Sequence, residues 1–161
     1  MSVGSARRGL RYSSEAALPA STRARLAAQR GDVPPTGNIV IDIATRAPLQ
    51  NEWQRMHWTV RRKVCRLWAE LIFAAFPHVP AAPIANCRIT IERFSTQKPD
   101  RDGLYGGLKP ILDALQPASK RHPYGLGFIV DDNDDCVTDL KPIHVKGPDP
   151  RTRITIEPIE D

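Results

Sequence analysis

The chain predicts a small α/β (α+β) domain, a mixed β-sheet carrying two packed helices in the order β-α-β-α-β-β. Three observations lead there. Apolar residues alternate at period two in Asn38–Ala44, Cys87–Ser95 and Arg153–Glu157. They recur at helical spacing in two other stretches, one opening at Thr59 and one around Leu104–Leu115. A length of 161 residues with 41% apolar content makes one domain with a real core, and is short for two.

Residues 1–37 come first, rich in Ser, Ala, Arg and Gly and closing on Asp32-Val33-Pro34-Pro35-Thr36-Gly37. Without a sustained apolar face they predict a disordered basic tail, whose six arginines suit non-specific contact with DNA phosphates or plain solvation. The folded domain then occupies 38–161. Ile39, Ile41 and Ile43 share one side of a first strand. A loop through Pro48 and Asn51 leads past Arg55 and His57 to a helix, with Thr59 as its N-cap and Pro77 as its stop. Val60, Val64, Leu67, Leu71 and Ala75, with Trp68 and Ile72 beside them, form its apolar face. Arg61, Arg62, Lys63 and Arg66 lie opposite, a basic face open to solvation or phosphate contact.

Cys87, Ile89 and Ile91 alternate against Arg88, Thr90 and Glu92 in a second strand, which runs into Asp100 and Asp102. Glycines 103, 106 and 107 interrupt the chain, and a helix from Gly107 or Leu108 would place Pro110 in its first turn, where proline is tolerated. Lys109 and Asp113 stand four apart on that helix, a spacing that by itself predicts a surface ion pair. A polar loop, Gln116–Leu126, carries Lys120, Arg121, His122 and Tyr124 at its tip, suited either to nucleic acid or to plain solvent exposure. Phe128-Ile129-Val130 then precedes the acidic run Asp131-Asp132-Asn133-Asp134-Asp135. Two strands close the domain: Cys136–Lys146, weakened by Pro142, and Arg153–Glu157.

Composition narrows the function classes. No apolar run approaches the roughly 20 residues of a membrane span, and the N-terminus lacks a secretory apolar core. Three cysteines without CxxC or Cys/His spacing read as free thiols in a reducing cytoplasm. A formal charge of +5 favours an anionic partner such as nucleic acid. The sequence shows no internal repeat, P-loop or EF-hand pattern.

Chemistry concentrates in Lys98–Asp113 and Asp131-Asp132. Asp100 and Asp102, two apart in an extended segment, would project to one side. With Asp131 and Asp132 they supply hard oxygen donors of the kind Mg²⁺ requires. Two such ions can clamp the attacking and leaving oxygens of a phosphodiester. An Asp-x-Asp before glycines also makes an ordinary turn, so spacing alone leaves both readings open.

The run D100-R-D102-G-L-Y-G-G-L-K109-P-I-L-D113-A-L, followed by G127-F-I-V-D131-D132, resembles the RusA family of Holliday junction resolvases, particularly its phage-type members. The upstream A-P-L-Q-N51-x-x-x-R55-x-H57-W58 is similar to that family's N-terminal segment, and the likeness covers roughly Ile39 to Ile156. It implies a homodimeric, Mg²⁺-dependent (or Mn²⁺-dependent) endonuclease nicking four-way DNA junctions, bacterial or phage-encoded. Asp100, Asp102 and Asp132 would then be metal-binding catalytic aspartates with Asp131 beside them. Lys109 would be the essential lysine, stabilising charge on the phosphate. Arg55, His57, Arg61, Arg62, Lys98, Lys120 and Arg121 are the candidate DNA contacts. The chain departs from the family pattern at Gly103, where many members have Asn, and at Pro99, where an Arg can precede the first aspartate. It also has about three extra residues before Lys109 and a longer 116–126 loop. The alternative from another class is a non-catalytic protein that binds branched DNA on the same fold.

Overall fold

The computed structural model describes residues 37–160, so the basic tail expected over 1–37 lies outside the described residues except for Gly37. In chain order the elements are β1 (Ile39–Ile43), α1 (Gln50–Arg55), α2 (Trp58–Ala75), β2 (Cys87–Ser95), α3 (Arg101–Gly106), α4 (Lys109–Leu115), β3 (Val137–Lys146) and β4 (Arg151–Pro158). The expected order holds, with one refinement: each long helical segment is preceded by a helix of six residues.

The four strands form one mixed sheet in the order β1-β4-β2-β3. β4 runs antiparallel to β1 and β2, whereas β2 and β3 are parallel. Parallel neighbours need a long crossover rather than a tight turn. Here that crossover is residues 96–136, and it carries Lys109 and all four candidate carboxylates. Pro142 is accommodated because β3 is an edge strand.

One face of the sheet is covered. Ile39, Ile41 and Ile43, Cys87, Ile89 and Ile91, and Ile154 and Ile156 are buried, and α2 and α4 contribute Trp68, Ala69, Ile72, Ile111 and Leu115 to the same core. The other face bears charge pairs, among them Arg153 with Asp42 at 2.8 Å and Arg88 with Asp139 at 3.4 Å. This division explains the clean period-two patterning.

α2 departs from expectation in two respects. Its N-cap is His57, whose Nδ1 accepts the Thr59 N–H at 3.3 Å; the expected cap, Thr59, lies in the first turn. Its buried stripe is Trp68, Ala69 and Ile72, whereas Val60 and Leu67 remain 42% and 47% exposed. The helix is apolar over a wider arc than the core covers, and Trp68 settles which part faces inward.

Near its end the core face of β2 turns polar. Arg93, only 4% exposed, donates from Nε to the Ala47 carbonyl at 2.6 Å and from Nη1 to Ser95 Oγ at 2.9 Å. Burial, then the nearby Arg46 charge, lowers its pKa. Ser95 Oγ donates in turn to the Gln97 carbonyl at 2.9 Å. These bonds tie the strand end to the 45–48 loop and set the exit of the segment leading to Asp100.

Candidate functional site

Asp100 lies just beyond β2, as expected, but not in an extended segment that aligns it with Asp102. It is the N-cap of α3, and its Oδ1 accepts the Gly103 N–H at 2.7 Å. A side-chain oxygen satisfying an otherwise unpaired amide is what this position favours. Asp102 sits exposed in the first helical turn, so the two carboxylates do not share a side as strand residues would. Glycines 103 and 106 lie inside α3 rather than breaking the chain there. Gly107 makes the break: a Cβ on it would run into the Pro48 carbonyl, and one on Gly106 would meet the Gln50 side chain. The elbow between α3 and α4 thus presses closely on the segment that opens α1.

Past the elbow, α4 begins at Lys109 with Pro110 in its first turn, as the sequence predicts. Lys109 Nζ stands 2.9 Å from Asp113 Oδ1 and 3.6 Å from Asp132 Oδ2. The Asp113 carboxylate is no ordinary surface group, since only 14% of that side chain is exposed against 47% for Lys109. Asp113 also approaches His122 Nδ1 at 3.6 Å. Burial works against the charged ammonium, but the contact and charge of Asp113 and then of Asp132 outweigh it, and the Lys109 pKa is raised. Lys109 is therefore a cation throughout the neutral range and unsuited to act as a general base.

Asp131 and Asp132 follow a short pairing in which Ile129 bridges Ile84 and the Val130 N–H donates to the Ile84 carbonyl at 3.0 Å. Asp131 Oδ1 accepts the Asp132 N–H at 2.7 Å and its Oδ2 accepts from Asn133 Nδ2 at 3.1 Å. Asn133 Oδ1 then caps the Asp135 and Cys136 amides. The acidic run is a tightly bonded turn from which Asp132 reaches Lys109.

By chemistry these oxygen donors suit Mg²⁺. Among the described residues no three His, Cys, Asp or Glu side chains stand grouped around one metal position in this arrangement. Asp100 is committed to its cap, Asp131 to its turn and Asp132 to Lys109. The expected convergence of all four carboxylates is absent from this arrangement.

The basic candidates divide. Arg55 ends α1, and Lys98 and Lys120 project from loops. His57 is used in its cap. Arg61, Arg62 and Arg121, however, line one pocket of about 200 Å³ together with Trp53, Asp113, His122 and Tyr124. Arg61 donates to the Trp53 and Gln54 carbonyls, both at 3.1 Å, and its guanidinium lies 5.3 Å from the Trp53 ring centroid. Cys65 also lines the pocket, and its thiol is pushed up to about 11, first by burial and then by the Asp113 charge, which makes it a poor nucleophile at neutral pH. Trp53 and the joining role of Asp113 were not singled out by sequence reasoning. For Asp113 the i,i+4 spacing to Lys109 was the available signal, and Trp53 carried none.

No model of a known protein family matches the chain, and no curated protein matches it. Among the described residues no helix is long and apolar enough to cross a membrane.

Proposed function

We propose that this chain is a structure-selective endodeoxyribonuclease that acts on branched DNA, four-way junctions included, by phosphodiester hydrolysis. The observation that carries the reading is Lys109, whose ammonium lies 2.9 Å from Asp113 on its own helix and 3.6 Å from Asp132 of the acidic turn, beside a pocket lined by three arginines. A permanent cation there can draw a phosphodiester toward Asp132 and stabilise charge that develops on it. Mg²⁺ or Mn²⁺ belongs to the proposal through the donor chemistry and the family resemblance, and Asp100, Asp102, Asp131 and Asp132 are its candidate residues. Paired nicks in a symmetric junction call for two sites, which supports a homodimer. The free thiols of Cys65, Cys87 and Cys136 fit a reducing cytoplasm.

The arginine-lined pocket favours one other reading, a protein that binds branched DNA without cutting it. Incubation of the full chain with a labelled four-way junction and a matched linear duplex separates the two. The assay runs in Mg²⁺ and in EDTA, beside Asp102→Asn. Metal-dependent paired nicks in the junction alone, lost in the variant with binding retained, are the expected result. Tight binding without cleavage by the unaltered chain supports the second reading, and neither binding nor cleavage overturns both.

A further inference from the structure

The pocket beside Lys109 has a composition that the acidic site does not explain. Its walls come from four places: Trp53 on α1, Arg61 and Arg62 on α2, Asp113 on α4, and the 121–125 stretch of the long loop. Trp53 and Tyr124 are both partly exposed, and Tyr124 also packs on the core, so aromatic surface is presented from a supported position. Arg61 is fixed by its two carbonyl bonds against Trp53, so little side-chain freedom is lost when something enters. Arg62 and Arg121 are exposed, Arg62 with its guanidinium 6.0 Å from the Trp58 ring centroid, and both can reach an anion.

Two stacking rings, three guanidinium groups and a volume of about 200 Å³ define the ligand narrowly. That volume lies below the roughly 300–1,000 Å³ of clefts built for larger ligands, so it suits one planar ring system. The three cations argue against a purely apolar occupant and for a flat base that carries phosphate. A base still paired in a duplex cannot enter so small a space, whereas an unpaired one can stack on aromatic side chains at modest cost.

We infer that the Trp53–Tyr124 pocket binds a single unstacked nucleotide, its base against the rings and its phosphate on Arg62 and Arg121. The inference rests on the reading of this chain as a DNA-binding protein and adds where the strand is gripped. Asp113 gives the pocket its connection to the proposed chemistry. It lies within 3.6 Å of His122 on the pocket side and 2.9 Å from Lys109 on the other. A nucleotide held here would leave its neighbouring phosphodiester beside Lys109, selecting strands that carry an unpaired base at the branch.

The experiment follows tryptophan emission of the full chain carrying Trp58→Phe, so that Trp53 is the partly exposed reporter and Trp68 stays buried. The titrants are a short single-stranded oligothymidylate, thymidine 5′-monophosphate and inorganic phosphate. Junction nicking is measured in parallel on the unaltered chain. Saturable quenching by the oligonucleotide is expected, with weaker binding of the mononucleotide and none by phosphate at matched concentration. Arg121→Ala, a change at an exposed residue, should weaken oligonucleotide binding by about tenfold, as should Trp53→Leu, which removes stack and reporter together and is therefore read by fluorescence anisotropy of a labelled oligothymidylate. Nicking or junction binding without any quenching overturns the pocket and leaves the endonuclease reading standing. Quenching without nicking does the reverse. A mononucleotide that binds as tightly as the oligonucleotide would make the occupant a free nucleotide and overturn the strand-gripping role.

Discussion

Replacing Asp113 by Asn tests whether this residue, more than Asp132, raises the Lys109 pKa. At about 80 for the dielectric constant, separations of 2.9 and 3.6 Å correspond to roughly 1.4 and 1.2 kcal/mol of attraction for Asp113 and Asp132. Half the Lys109 side chain is exposed, so ordering of the side chain and screening reduce both figures, and exposed pairs retain only about 0.2–1 kcal/mol. Asp113 is the more buried partner, which places its pair near the upper end. Asp113→Asn should therefore cost about 1 kcal/mol of stability at neutral pH, measured by urea denaturation. The sign of the pH dependence follows from the raised Lys109 pKa. The stabilisation is fully present below the ordinary lysine value of 10.5 and is lost as pH rises through the higher folded value. The gap between the parent and the variant should thus persist from neutral pH to the edge of that window and close above it. NMR titration of the Lys109 side chain should show its midpoint falling in Asp113→Asn while the ammonium stays charged at pH 7. An unchanged midpoint would refute the assignment, and a loss beyond about 3 kcal/mol would mean the pair behaves as fully buried.

Three further outcomes follow from the same geometry. Gly107→Ala forces a methyl into the Pro48 carbonyl and should destabilise the fold by about 1–3 kcal/mol in chemical denaturation, since backbone cannot yield as a side chain would. Arg93→Met removes the donors that satisfy the Ala47 carbonyl and Ser95 Oγ; a cost of about 1–3 kcal/mol, with faster amide exchange across residues 95–100, is expected. Cys65 and Cys87, both pushed up to about 11 chiefly by burial, should react slowly with a thiol reagent at pH 8 in the native state, and their contribution to stability should decline between pH 9 and 11 because the unfolded thiols ionise first.

Much of the fold was legible because its signals are local. The β1 isoleucines, the alternation in β2, Pro110 in a first turn and the helical spacing of α4 each need only neighbouring residues to act. Local capping competes with longer pattern, and there sequence reasoning slipped: Asp100 and Asp102 looked like strand residues until the Asp100 carboxylate was seen closing the first turn of α3. α2 misled for a different reason. Val60 and Leu67 satisfy an apolar stripe as well as Trp68 and Ile72 do, and only packing against the sheet chose between overlapping faces.

The sequence by itself determined the four strands, the two longer helical segments, their order and the residue types that could handle a phosphodiester, while the short helices α1 and α3 emerged only in the fold. Tertiary structure alone decided which of them meet. The parallel pairing of β2 with β3 obliges residues 96–136 to cross over, and packing within that crossover sets Asp132 against Lys109 while leaving Asp100 and Asp131 bonded to their own backbone turns. Likewise Arg121 lies far along the chain from Trp53 and Arg61 and shares a pocket with them because the loop after α4 converges with α1 and α2. Periodicity reports which face of an element is buried, but distances between side chains of separate elements arise only when the whole chain packs.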